Sequence, residues 1–107
     1  MENQDKKIQE MQMLEQNLQN LLLQKQAFQM ESSENSAALK EIGKSGEEIF
    51  KIVGQLMIKT DKSNVKKELA EKEKILDLRL KTIEKQEGNL TKQLETLREE
   101  FMNQTKK

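Results

Sequence analysis

The stretch KIVGQLMIKTD, Lys51 to Asp61, decides the fold. Together with Phe50 it places Ile52, Val53, Leu56, Met57 and Ile58 close together in a chain that otherwise keeps a helical rhythm. Lys51 to Val53 and Leu56 to Thr60 are rich in β-branched residues, which fit a pleated surface better than a helix. Gly54-Gln55 between them suits a two-residue hairpin turn, with Gly supplying positive φ at the first central position. Such a turn pairs Val53 with Leu56, Ile52 with Met57 and Phe50 with Lys59. Side chains alternate across a strand, so one face carries Ile49, Val53, Leu56 and Ile58, and the other Phe50, Ile52 and Met57. A lone two-stranded hairpin is marginal in water. This one is apolar on both faces and has two unpaired edges, features that recruit other chains. Ile49, Phe50, Ile52, Val53, Leu56, Met57 and Ile58 are therefore expected to form a subunit-assembly surface. Hairpins from several subunits would join there into a shared sheet or barrel.

Upstream, Met11, Leu14, Leu18, Leu21, Phe28, Leu39 and Ile42 fall on one register of alternating steps of three and four. Lys25, Ser32 and Asn35 occupy the polar positions within it. Downstream, Leu69, Leu76, Leu80, Ile83, Leu90, Leu94, Leu97 and Phe101 do the same, with Glu73 and Glu87 in the gaps. These stripes are narrower than those of a helix facing a globular core and read as coiled-coil seams. Ile75 and Leu78 flank the second seam. Asp61 or Ser63 is placed to cap the second helix. Gly43 and Gly46 are placed to end the first in a left-handed residue. At 1.5 Å per residue each helix would run roughly 60 Å.

Two seams joined by a tight hairpin pack most simply against each other, antiparallel. Facing residue numbers then sum to about 109, the value set by a turn centred on Gly54-Gln55. Leu39 should lie near Leu69, Leu18 near Leu90, Met11 near Leu97 and Ile8 near Phe101. Polar positions also coincide: Ser32 and Asn35 with Glu73, and Lys25 with Glu84 and Glu87. Such layers lower stability but oppose sliding of one helix along the other.

Composition narrows the function. The chain has 107 residues, 36% of them charged, with three Phe, no Trp and no Tyr. That is little apolar material for a compact globule and suits burial along seams. The absence of Pro agrees with long helices. Lys and Arg number 19, matched by 19 Asp and Glu. A balanced charge argues against nucleic-acid binding, which needs clustered positive charge. Lys66 and Lys67 are interleaved with Glu and read as a solvated face. With neither Cys nor His, the chain lacks thiol nucleophiles, imidazole acid–base groups and zinc-type ligand sets. Lys44 between Gly43 and Gly46 has no phosphate-loop spacing. A two-stranded coiled coil also offers no catalytic pocket. No enzyme activity, cofactor or metal is expected. No apolar run reaches membrane-spanning length, and MENQDKKIQEM lacks the apolar core of a signal peptide. The expectation is a cytoplasmic protein without membrane contact.

The order of helix, KIVGQLMIKTD hairpin and helix resembles the β-class subunit of prefoldin, in its archaeal form. The resemblance covers nearly the whole chain. LLLQKQ (Leu21 to Gln26) and RLKTIEKQEGNL (Arg79 to Leu90) contribute to it. Its more specific marks are Val53-Gly54, Lys59 to Asp61, Glu84 to Glu87 and a single hairpin rather than two. The linker GKSGEE, Gly43 to Glu48, is richer in glycine than the family pattern. The resemblance implies one domain, with a coiled-coil helix over about 4–43, a hairpin over 48–60 and a second helix over 62–105. It also implies a heterohexamer of two α-class and four β-class subunits around a β-barrel body. In that family the assembly is a holdase that works without ATP, captures unfolded proteins and passes them to a group II chaperonin.

Four of the six Met, namely Met1, Met11, Met13 and Met102, lie in the terminal segments. Flexible, polarizable thioethers suit a surface that meets many partners. Ile8, Met11, Met13, Leu14, Leu97, Phe101 and Met102 are accordingly the expected client-binding residues. Met11 and Leu97 serve equally well as seam residues, whereas Met13 and Met102 stand off the seam. The competing reading is a coiled-coil scaffold or adaptor with no client.

Overall fold

The computed structural model describes residues 2–105. Helix α1 spans Glu2–Lys44, strands β1 and β2 span Glu48–Val53 and Leu56–Asp61, and helix α2 spans Lys62–Thr105. This is the expected mainly α architecture of two long helices joined by a β-hairpin. The chain divides into two compact units. One is Met1–Ala27 with Leu80–Lys107, and the other is Phe28–Arg79.

The first unit contains the outer parts of both helices. Met11, Leu14, Leu18, Leu21 and Lys25 on α1 are only partly exposed, as are Leu80, Glu87, Leu90, Leu97 and Phe101 on α2, while their neighbours face water. Ile83 and Leu94 on α2 are buried. The residues alternate by three and four, as the sequence pattern requires. Cross-helix ion pairs run in opposite chain directions: Lys7 with Glu100 at 3.5 Å, Arg98 with Glu15 at 3.0 Å, and Lys25 with Glu87 at 3.3 Å. The helices of this unit are therefore antiparallel. Lys25 donates to the Glu87 carboxylate as the facing polar positions predicted. The register of α1 counts back from Met11 to Lys7 and Gln4, both half-buried. Ile8, expected beside Phe101, instead stands one step off the stripe with 37% of its surface exposed.

The second unit holds the inner turns of the helices and the hairpin. Leu76, 2% exposed, is its best-buried side chain. Arg79 places its guanidinium 5.6 Å from the centre of the Phe28 ring, where the charge meets the electron-rich face. The half-buried positions of α2 here include Val65, Leu69 and Glu73, two consecutive steps of four. Such a stutter locally relaxes a left-handed supercoil. Opposite it, Asn35, 4% exposed, donates from Nδ2 to the main-chain oxygen of Leu69 at 2.8 Å. Its Oδ1 is buried without a partner. Ser36, rather than Ser32 or Asn35, donates to Glu73, at 3.2 Å.

The end of α1 departs from expectation. Gly43 lies inside the helix, and neither it nor Gly46 has positive φ. Ser45 ends the helix instead. Its backbone N–H donates to the Ile42 carbonyl at 3.2 Å, and its hydroxyl donates to the same oxygen at 2.9 Å. Lys62, the first residue of α2, donates from Nζ to the Ser45 carbonyl at 2.9 Å. Carbonyls left without intrahelical partners are thus satisfied by a hydroxyl and a cation, with no left-handed residue. At the start of α2, Asp61 holds the cap position directly before Lys62, and its Oδ2 accepts from the Asn64 side chain at 3.4 Å. Ser63 is helical and does not occupy the cap.

The hairpin has the expected register: Glu48 with Asp61, Ile49 with Thr60, Phe50 with Lys59, Lys51 with Ile58, Ile52 with Met57, and Val53 with Leu56. Gly54 takes φ +63°. Among the described residues no non-glycine residue has positive φ. One positive φ at the first turn position matches the type II′ hairpin turn.

Candidate functional site

Two surfaces collect the chemistry-bearing residues, one in each unit. In the second unit, the hairpin displays apolar side chains on both faces. Phe50, Ile52 and Met57 share one face with Lys59. Ile49, Val53, Leu56 and Ile58 share the other with Lys51 and Thr60. Six of the seven residues expected for assembly are exposed, from Ile58 at 46% to Ile52 at 73%. Ile49 alone is half-buried. Two cations tie the hairpin locally. Lys51 pairs with Glu68 of α2 at 2.9 Å and Lys59 with Glu48 across the strands at 3.5 Å. Both pairs are solvent-exposed and contribute little, on the order of 0–1 kcal/mol each. They leave the apolar faces open.

In the first unit, an open groove of about 530 Å³ runs between α1 and α2. Glu10, Met13, Leu14 and Asn17 line it from α1, and Lys92, Gln93, Thr96 and Leu97 from α2. The Thr96 hydroxyl donates to the Lys92 carbonyl at 3.0 Å, so its hydrogen is already used within the helix. Met13 and Met102 are exposed, Met11, Leu14, Leu97 and Phe101 are half-buried, and Ile8 is exposed. Of the seven residues expected to bind clients, the structure brings Met13, Leu14 and Leu97 together in the groove. Met1 lies outside the described residues. The polar lining residues Glu10, Asn17, Lys92, Gln93 and Thr96 were not anticipated. For four of them a signal was available: Glu10, Asn17, Gln93 and Thr96 sit directly beside the seam positions Met11, Leu18, Leu94 and Leu97, whereas Lys92 lies two residues from Leu90 and Leu94.

The fold and these surfaces define a class: a two-helix coiled coil that presents an apolar hairpin it does not cover. A family model described as Prefoldin subunit matches residues 5–107. "Prefoldin subunit beta" of Methanothrix thermoacetophila is 37% identical over 94 residues, covering 86% of this chain and 78% of that protein. "Prefoldin subunit beta" of Sulfurisphaera tokodaii is 42% identical over 89 residues, covering 81% and 71%. The crystal structure of the prefoldin beta subunit from Thermococcus strain KS-1 superposes with a TM-score of 0.88 at 32% identity, covering 94% of this chain and 90% of that one. The chain belongs to the prefoldin subunit family, in its β class.

Proposed function

We propose that this chain is a β-class subunit of an ATP-independent chaperone. It assembles through its hairpin with α-class partners and captures unfolded proteins on its terminal helical segments. The observation that carries the reading is the hairpin. Six large apolar side chains remain in water on both of its faces. Burying a side chain of this size contributes roughly 1.5–3 kcal/mol, so several hairpins closing a common sheet or barrel gain a large driving force. Family membership supports two α-class and four β-class subunits as the stoichiometry, a group II chaperonin as recipient, the cytoplasm as compartment and the absence of enzymatic chemistry. The three units of sequence, helix, hairpin and helix, then act as one domain.

The capture surface centres on the groove of the first unit, with Ile8, Met11, Phe101 and Met102 extending it. One groove binds a client weakly. Several grooves on one assembly gain avidity through effective concentration. Weak individual grips also allow release without nucleotide hydrolysis.

The test is an aggregation assay on the chain co-assembled with an α-class subunit. A variant trimmed to residues 15–97 should assemble with the same number of subunits and lose suppression of client aggregation. Unchanged suppression would remove the terminal segments as the capture surface. If the untrimmed assembly shows no suppression at all, the scaffold reading takes its place.

A further inference from the structure

The chain has six Met and no Cys, His, Trp or Tyr. Two-electron oxidants that spare saturated and amide groups therefore find the thioethers as its reactive side chains. Their surroundings differ. Met11 is half-buried on the seam. Met57 lies on the hairpin surface that assembly would cover, and Met30 lies on α1 in the second unit, outside the groove. Met102 is exposed in the terminal part of α2. Met13 combines both properties that matter: it is 67% exposed, and it lines the groove beside Leu14 and Leu97.

We propose that the Met13 thioether is a redox-sensitive modification site of the groove, oxidised to the sulfoxide by peroxides with loss of client grip. The sulfur lone pair attacks one peroxide oxygen. A sulfur–oxygen bond forms as the oxygen–oxygen bond breaks. Sulfur loses two electrons, and hydrogen peroxide leaves as water after solvent transfers the proton. The product places a polar oxygen where an apolar client segment would seat. A sulfoxide accepts hydrogen bonds, and a client that covers it strips that oxygen of water. The packing along the seam is untouched, because Met13 stands off it. The consequence is therefore a loss of capture without a loss of fold. Sulfoxide reduction restores the thioether, so the change is reversible. The inference rests on the capture reading of the groove, and its test separates the two.

The chain co-assembled with an α-class subunit is treated with hydrogen peroxide, the peroxide is removed with catalase, and oxygen uptake is mapped by peptide mass spectrometry. Suppression of aggregation of guanidine-unfolded citrate synthase is then measured. Oxygen should appear at Met13 earlier than at Met11 or Met57. Suppression should weaken by roughly tenfold, the effect of one Met-sized side chain that a client no longer covers. Met13→Leu, which cannot form the sulfoxide at this position, should lose a smaller fraction of its own suppression on oxidation than the wild type loses. Met13→Gln should reproduce the loss without oxidant. Full suppression by Met13→Gln would show that this position does not contribute to capture, which sinks the groove reading at Met13. A weak Met13→Gln together with an unaffected, fully oxidised wild type would overturn the redox proposal alone. An equal loss in oxidised Met13→Leu would also overturn it.

Discussion

The seams and the hairpin solve the same problem in opposite ways. Along the seams, Leu76, Ile83 and Leu94 are buried within the chain, and even the charged Lys25 and Glu87 find each other. In the hairpin, every backbone partner between the strands is in register, yet Phe50, Ile52, Val53, Leu56, Met57 and Ile58 stay in water. The difference follows from geometry. A helix of heptad pattern presents one narrow stripe, and a single facing helix covers it. A two-stranded sheet presents two faces and two edges, and one element cannot cover all four. The seams stabilise the fold of one chain. The hairpin leaves its apolar surface uncovered by its own chain.

That contrast gives graded expectations. Leu76→Ala removes a buried seam side chain and should lower stability by about 2–5 kcal/mol, read as a fall in the thermal midpoint of the helical circular-dichroism signal. Ile52→Ala, equally apolar but exposed, should change the stability of the lone chain by less than about 0.5 kcal/mol and leave its thermal midpoint nearly unmoved. If the two cost the same, the contrast between seam and hairpin fails. Gly54→Val forces a β-branched residue to φ +63°. It should weaken the hairpin by roughly 1–3 kcal/mol and reduce assembly, measured by the solution mass at dilution, while the helical signal persists. Gly88 lies within α2, and a Cβ there meets nothing within 4 Å. Gly88→Ala should therefore raise stability by about 0.5–1 kcal/mol, read as a higher thermal midpoint, with assembly unchanged. A similarly small effect belongs to the exposed Glu15 and Arg98 pair. A double-mutant cycle should return about 0.2–1 kcal/mol and shrink as salt is added.

Much of this was legible in residue order. Steps of three and four announced both seams, because an α-helix has no other way to align Met11, Leu14, Leu18 and Leu21. Gly54-Gln55 between β-branched runs announced the turn and thereby the register, since a two-residue turn leaves the pairing no freedom. The boundaries were harder. Gly43 and Gly46 read as a left-handed stop, but Ser45 and Lys62 satisfy the last carbonyls. Lys62 reaches Ser45 only after the hairpin has brought it back, and no local pattern reports that. The same holds for Asn35. Its seam position was readable, but its choice of the Leu69 carbonyl depends on the stutter facing it. Met13 was recognisable as lying off the seam. Its place in a groove with Thr96 and Leu97 required both helices at once.

The most direct test of the account is the solution mass, by light scattering, of the chain mixed with an α-class subunit, comparing wild type with Ile52→Asp/Val53→Asp. One charge on each hairpin face should collapse a complex of several subunits to single chains while the helical signal remains. A wild-type chain that stays solitary beside its partner, or a doubly charged variant that keeps the full mass, would contradict the claim that the exposed hairpin drives assembly.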